Sequence, residues 1–148
     1  MAIYLNNNVG VKLATAAAPT VPSIDISSYV TSVTLTQTFD ELEVTAMGDT
    51  AHKYVAGLQA ATLQIDFLND WASSQVMQTL NAAAGSTLAV SMITVKGTAV
   101  SAANPTYQFS ILVNNLTPVG SGGVGDEAMS SLSFTVNSAL VVSPSVAF

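Results

Sequence analysis

Few side chains in this sequence have the chemistry to act on a substrate, and their spacing limits what they could do. His52 is the sole histidine and stands three residues after Asp49 in GDTAHKY. An acid and an imidazole at that spacing would suit a base and its orienting partner, and serines are plentiful. No G-x-S-x-G elbow is present to hold a nucleophile on a strand-to-helix turn. No second histidine and no cysteine completes a zinc site. Asp66 and Asp70 are a pair of carboxylates, but the plainer assignment is a wet strand position and a helix cap. Residues 120–125 read GSGGVG, which fits G-x-G-x-x-G. That pattern cradles phosphate only between a strand and a helix. Here Asp126 and Glu127 follow at once, and the next segment alternates like a strand, so a hairpin loop is expected. Asn115-Leu116-Thr117 fits a glycosylation acceptor, which matters only in a secreted protein. No catalytic, cofactor or metal site is expected.

The elements that would position these groups are mostly strands. Leu42, Val44 and Ala46 alternate with Glu41, Glu43 and Thr45, and Leu63, Ile65 and Phe67 alternate with Thr62, Gln64 and Asp66. A period of two gives one buried face and one wet face. Upstream, Val33, Leu35 and Phe39 oppose Thr34, Thr36 and Thr38, with a hairpin point expected at Asp40-Glu41. Residues 48–58 are too long for a tight turn and predict a loop, which in a compact domain is functional or disordered. Asn69-Asp70 predicts an N-cap for a helix over 71–84, with Trp71, Val76 and Leu80 on one side and Gly85 as the stop. Further strands are expected over 86–95, 107–113 and 129–136. Residues 1–22 open with AIYL as a short strand and read on as an N-terminal arm. Residues 138–148 form an apolar tail that needs a core or a neighbour to pack on. The sum is one mainly β domain, an antiparallel β-sandwich or split barrel with one flanking α-helix.

Composition bounds the function. The chain has 148 residues, enough for one domain with a sizeable core. Hydrophobic residues make up 49% and charged residues only 8%, about a third of the usual share. A free monomer normally carries more charge for solubility, whereas buried interface centres are poor in Lys, Glu and Asp. A subunit covered by copies of itself fits this balance best. There is no arginine, and the net charge is −6. Gripping nucleic acid through its phosphates is therefore disfavoured, although DNA could slide over such a surface without sticking. The absence of cysteine removes disulfides, which small secreted domains often use. No run is long enough for a membrane helix, and no basic segment precedes the apolar stretch near the start, so the cytoplasm is the expected compartment.

Several segments carry a family likeness. AIYLNNNVGVKL, DISSYVTSVTL, DELEVTAMGDTAHKYVAGL, DFLNDW and NPTYQFSILVNNLTPVGSGGVGD together resemble major tail tube proteins of siphophages, especially those of actinobacteria. The resemblance covers nearly the whole chain. It implies a structural virion protein, not an enzyme, built into the tail after assembly in the host cytoplasm. Six copies would form a ring, and stacked rings would form a tube that conducts DNA during ejection. With about four strands from each copy, about 24 strands at roughly 4.8 Å spacing and a tilt near 40° give a bore of roughly 50 Å between backbones.

In that setting the loop over 48–58 resembles the family's inter-ring stacking loop, with Asp49, His52, Lys53, Tyr54 and Val55 as its contact residues. Asp40, Glu41 and Glu43 are candidates for charges on the lumen or ring rim, where they would repel phosphate; an exterior hairpin is the rival placement. The N-terminal arm and C-terminal tail would add contacts between copies. Partners would be the chain itself, a tape measure protein and tail-end proteins, with DNA passing unheld and no membrane. Other classes stay open. One is a different self-assembling shell component, such as a head decoration, a fibre or a secretion tube. Another is a secreted carbohydrate-binding β-domain, for which Trp71 is the sole tryptophan.

Overall fold

The computed structural model describes residues 8–15, 21–120 and 122–148. In chain order they form β1 (Gly10–Leu13), β2 (Ile24–Asp25), β3 (Val30–Glu43), β4 (Tyr54–Leu68), α1 (Val76–Ala82), β5 (Thr87–Ile93), β6 (Thr106–Leu112), β7 (Met129–Val136) and β8 (Val141–Ser143). The fold is mainly β, an eight-stranded antiparallel sheet with one helix, consistent with a β-sandwich-like architecture. The strand order is β2-β1-β5-β6-β7-β4-β3, with β8 also on β6. The sheet divides at β6. Thr106, Tyr107 and Gln108 pair with β8, while Ile111 and Leu112 pair with β7.

Alternation places the core. In β4, Ala61, Leu63, Ile65 and Phe67 are buried while Thr62 and Gln64 are exposed. Their cross-strand partners continue the same face: Leu63 faces Leu35 and Phe134, and Ile65 faces Val33 and Leu132. Leu88 with Ile111 and Val90 with Phe109 extend it across β5 and β6. Cross-strand apolar pairs of this kind are the units that hold a sheet together. The α1 residues Val76, Met77 and Leu80 close over this cluster. A seven-residue helix cannot stand alone in water, so this burial is what keeps α1 folded.

Several expected boundaries move. α1 starts at Val76, not at 71, and its N-cap is Gln75, with Ser74 in the left-handed region at φ 62°. Asp70 instead accepts the Ala72 N–H at 2.8 Å and closes a turn, which leaves Trp71 outside the helix and exposed. Gly85, at φ 77°, follows the helix as expected. Gly10–Leu13 belongs to no loose arm: Val11 and Leu13 are buried, and β1 pairs with β5 and β2. AIYL lies outside the described residues. The tail over 138–148 packs on its own molecule. β8 joins β6, Thr106 Oγ1 donates toward the Ser143 and Val146 carbonyls, and the Phe148 ring covers Gly10 under the Lys12 ammonium, 4.4 Å above it.

The largest correction concerns 30–68. No turn occurs at Asp40-Glu41; β3 runs straight through it to Glu43. The loop expected over 48–58 lies earlier, because β3 ends at Glu43 and Tyr54–Leu68 is one continuous strand. Only residues 44–53 connect the two, and Val44 N–H still donates to the Lys53 carbonyl at 2.8 Å. The result is a single hairpin whose strands are 14 and 15 residues long.

Candidate functional site

The outer half of this hairpin is the feature that stands apart from the core. β7 pairs with β4 only along Thr62–Leu68. Residues 54–61 of β4 therefore have β3 as their sole strand partner among the described residues, and β3 has only β4. Beyond Leu35 and Ala61 the structure is a two-stranded ribbon with both edges open among the described residues and its side chains exposed, apart from Gly57 and Gln59, which are half-buried. A two-stranded ribbon is marginal in water, and open edges invite pairing with another chain.

A bulge shapes the ribbon. Phe39 faces Gln59 and Glu41 faces Ala56, so Asp40 alone opposes both Gly57 and Leu58. A Cβ on Gly57 would lie 2.9 Å from that of Asp40, and only glycine permits so close an approach. Strand alternation then sorts the side chains. The face that carries Val33 and Leu35 into the core continues outward as Phe39, Glu41 and Glu43, with Tyr54 and Ala56 beside them. The opposite face runs from Thr34, Thr36 and Thr38 to Asp40, Leu42 and Val44, with Val55 and Leu58 alongside. Polarity thus inverts along one strand: the apolar face inside the domain becomes the acidic face outside it.

The ribbon concentrates exposed apolar surface. Seven of the fourteen large hydrophobic residues exposed among the described residues lie on it: Phe39, Leu42, Val44, Met47, Tyr54, Val55 and Leu58. Together they present on the order of 900 Å², about what one partner contributes to a standard interface. Single exposed hydrophobics are ordinary; these are concentrated on one projection and divided between its faces, Phe39 and Tyr54 on one and Leu42, Val44, Val55 and Leu58 on the other.

Polar groups order the tip. Glu43 Oε1 lies 2.6 Å from His52 Nδ1 and accepts from Thr45 Oγ1 at 2.7 Å. Lys53 N–H donates to Thr45 Oγ1 at 3.0 Å. Asp49 accepts the Ala46 N–H at 2.9 Å and pairs with the Lys53 ammonium. The His52 contact, then Thr45, holds the Glu43 carboxyl below its ordinary range; Lys53, then the Ala46 N–H, does the same for Asp49. His52 and Tyr54 rings lie 6.3 Å apart between centroids.

The expected contact residues Asp49, His52, Lys53, Tyr54 and Val55 thus come together at the tip, with Tyr54 and Val55 as the first residues of β4. The three acidic candidates do not act as one group. Glu41 and Glu43 share a face, Asp40 lies on the other, and Glu43 is tied to His52.

The residues singled out for chemistry are not brought together. Asp49 is paired with Lys53, so it does not orient His52. Asp66 lies in β4 between Ser32 and Ser131, whereas Asp70 sits in a turn and its hydrogen bond raises the Tyr29 phenol above its ordinary range. Residues 123–126 form a turn in which Asp126 accepts the Gly123 N–H at 2.9 Å, and β7 follows, not a helix. Among the described residues no group of three or more His, Asp or Glu side chains could hold a metal ion. Of the lysines, Lys53 is paired with Asp49 and Lys96 with Asp25, so no basic patch forms.

The sequence hinted at this surface through the phase of its alternation, apolar at odd positions up to Phe39 and at even positions from Leu42. The unpaired length of β4 and the close approach at Gly57 had no such signal. No family model matches the chain, and no curated protein matches it.

Proposed function

We propose that this protein is a structural virion subunit that assembles with copies of itself into stacked hexameric rings, forming a phage tail tube that conducts DNA. The observation that carries this reading is the β3–β4 ribbon, two open strand edges and about half of the exposed large hydrophobics on one projection. Such a surface is costly to leave in water and ready to pair with another chain. Composition agrees: a chain with 8% charged residues and net charge −6 suits a tightly packed subunit with a surface that does not hold phosphate. The resemblance of the segment around VTAMGDTAHKYVAGL to tail tube proteins supplies the ring and the tube. The tip residues then meet the next ring, and Glu41 and Glu43 are placed toward the bore or its rim. A tape measure protein and tail-end proteins complete the assembly.

Negative-stain electron microscopy of the purified protein over a concentration series tests the reading. Rings with an open channel, stacking into tubes, are expected. Closed shells or solid fibres would indicate a different shell component, and a single copy at every concentration would overturn self-assembly altogether.

A further inference from the structure

The ribbon has a complement on the same chain. Where β3 leaves the core, a cavity of ≈ 230 Å³ opens, lined chiefly by Val9, Val33, Leu35, Met92, Tyr107 and Leu140. No ionised side chain lines it. It is smaller than the roughly 300–1,000 Å³ pockets that enclose drug-sized ligands, so side chains suit it better than a small molecule does. Gln37 lies on its rim. Two residues further along the β3–β4 ladder from the Gln37–Ala61 pair, Gln59 faces Phe39, and its Nε2 donor is buried without a hydrogen-bond partner among the described residues. A buried donor left unpaired costs about 1–3 kcal/mol, so turning this amide outward to an acceptor on another chain would be favourable.

The outer face of the ribbon carries what this groove lacks. Leu42, Val55 and Leu58 are apolar knobs, with Leu58 80% exposed. Among them stands Asp40, a carboxylate to which the structure gives no hydrogen bond or ion pair among the described residues. We infer that the ribbon of one copy docks by this face into the core-mouth groove of a second copy. Leucine and valine side chains fill the apolar floor, and Asp40 accepts from the Gln37 amide at the groove and from the Gln59 amide turned out toward it. Knob and groove are different surfaces of one chain, so the contact is head-to-tail and can propagate into a ring or a filament. This inference rests on the self-assembly proposed above and specifies the surface that receives the ribbon.

Because the chain has no cysteine, engineered thiols report without background. The experiment mixes Leu58→Cys with Gln37→Cys protein at assembling concentration, oxidises mildly, and reads the products on a non-reducing gel, with microscopy of the same samples. A disulfide dimer should form from the mixture and from neither variant alone, and the double variant should give a ladder of multimers. Leu58→Cys cross-linking to itself would overturn the groove in favour of ribbon-on-ribbon pairing. Rings or tubes without the mixed disulfide would overturn the groove while leaving self-assembly intact. Neither assembly nor cross-link would overturn both. As a second reading, Gln59→Leu should weaken assembly several-fold, with the monomer at least as stable as wild type; unchanged assembly would remove the amide's part in the contact.

Discussion

The inner and outer halves of the β3–β4 hairpin share one ladder and differ in almost everything else. Inside, Val33, Leu63, Ile65 and Phe67 are buried, and β7 covers the second edge of β4. Each fully buried large side chain there stabilises the fold by about 1.5–3 kcal/mol. Outside, Phe39, Leu42, Val55 and Leu58 are about half exposed or more, and neither edge is covered. The outer half contributes little to the stability of a single copy. Its apolar residues gain only when another surface covers them. The same backbone is thus core at one end and exposed ribbon at the other, the second edge opening at Ala61 and the bulge at Gly57 following it, and on the proposed function the outer end serves association.

Mutations on the two halves should separate these roles. Phe67→Ala removes a ring that is fully buried, and should cost about 3–5 kcal/mol of monomer stability by urea denaturation. Leu58→Asp should leave that midpoint within about 0.5 kcal/mol of wild type and yet abolish large species in sedimentation. Equal loss of stability from both would erase the distinction. Replacing residues 44–53 by Asn-Gly, a two-residue turn suited to a hairpin, should give a folded monomer that cannot form tubes; long tubes from this variant would remove the tip from the contact.

Smaller effects distinguish the two faces of the ribbon. Lysine at Glu41 should permit assembly and slow genome delivery by particles that carry it, whereas lysine at Asp40 should weaken assembly itself. Equal behaviour of the two would contradict their placement on opposite faces.

The smallest effect is at the tip. Glu43 and Asp49 have folded-state pKa values below their ordinary 4.5 and 3.8. Whatever these carboxylates add to tip order is therefore complete above those ordinary values and lost as pH falls through the lowered ones. Amide exchange of 44–53 should be flat near neutrality apart from the intrinsic rate, and rise relative to it only in acid. Glu43→Gln should flatten part of that acid rise. Glu43 is exposed and Asp49 half-buried in a loop away from the core, so global stability should hardly move.

Much of the inner half was legible in the sequence. Leu63, Ile65 and Phe67 against Thr62, Gln64 and Asp66 gave the right buried face, and the strand expected over 129–136 matches β7 residue for residue. The outer half was misread for a physical reason. Apolar positions change from odd to even between Phe39 and Leu42, and a phase change in an alternating pattern ordinarily signals a turn. Here the strand continues and its environment changes instead, so the apolar face moves to the other side. The helix start was misplaced because Asp70 closes a turn that looks like a cap. The tail over 138–148 needed a surface, and its composition could not say that the surface was its own sheet. At the tip, residue identities pointed to a contact patch, but the pairing of Glu43 with His52 depends on a register that only the folded hairpin fixes.

Hydrogen–deuterium exchange of the backbone amides, compared between dilute and concentrated protein, tests the ribbon's role most directly. In dilute solution the amides of 54–61 that point away from β3, and those along the open edge of β3, should exchange quickly, while β5, β6 and β7 stay protected. On concentration the ribbon amides should become protected and the core pattern should not change. Ribbon amides that exchange equally fast at every concentration, above all in a sample that has assembled, would contradict the account.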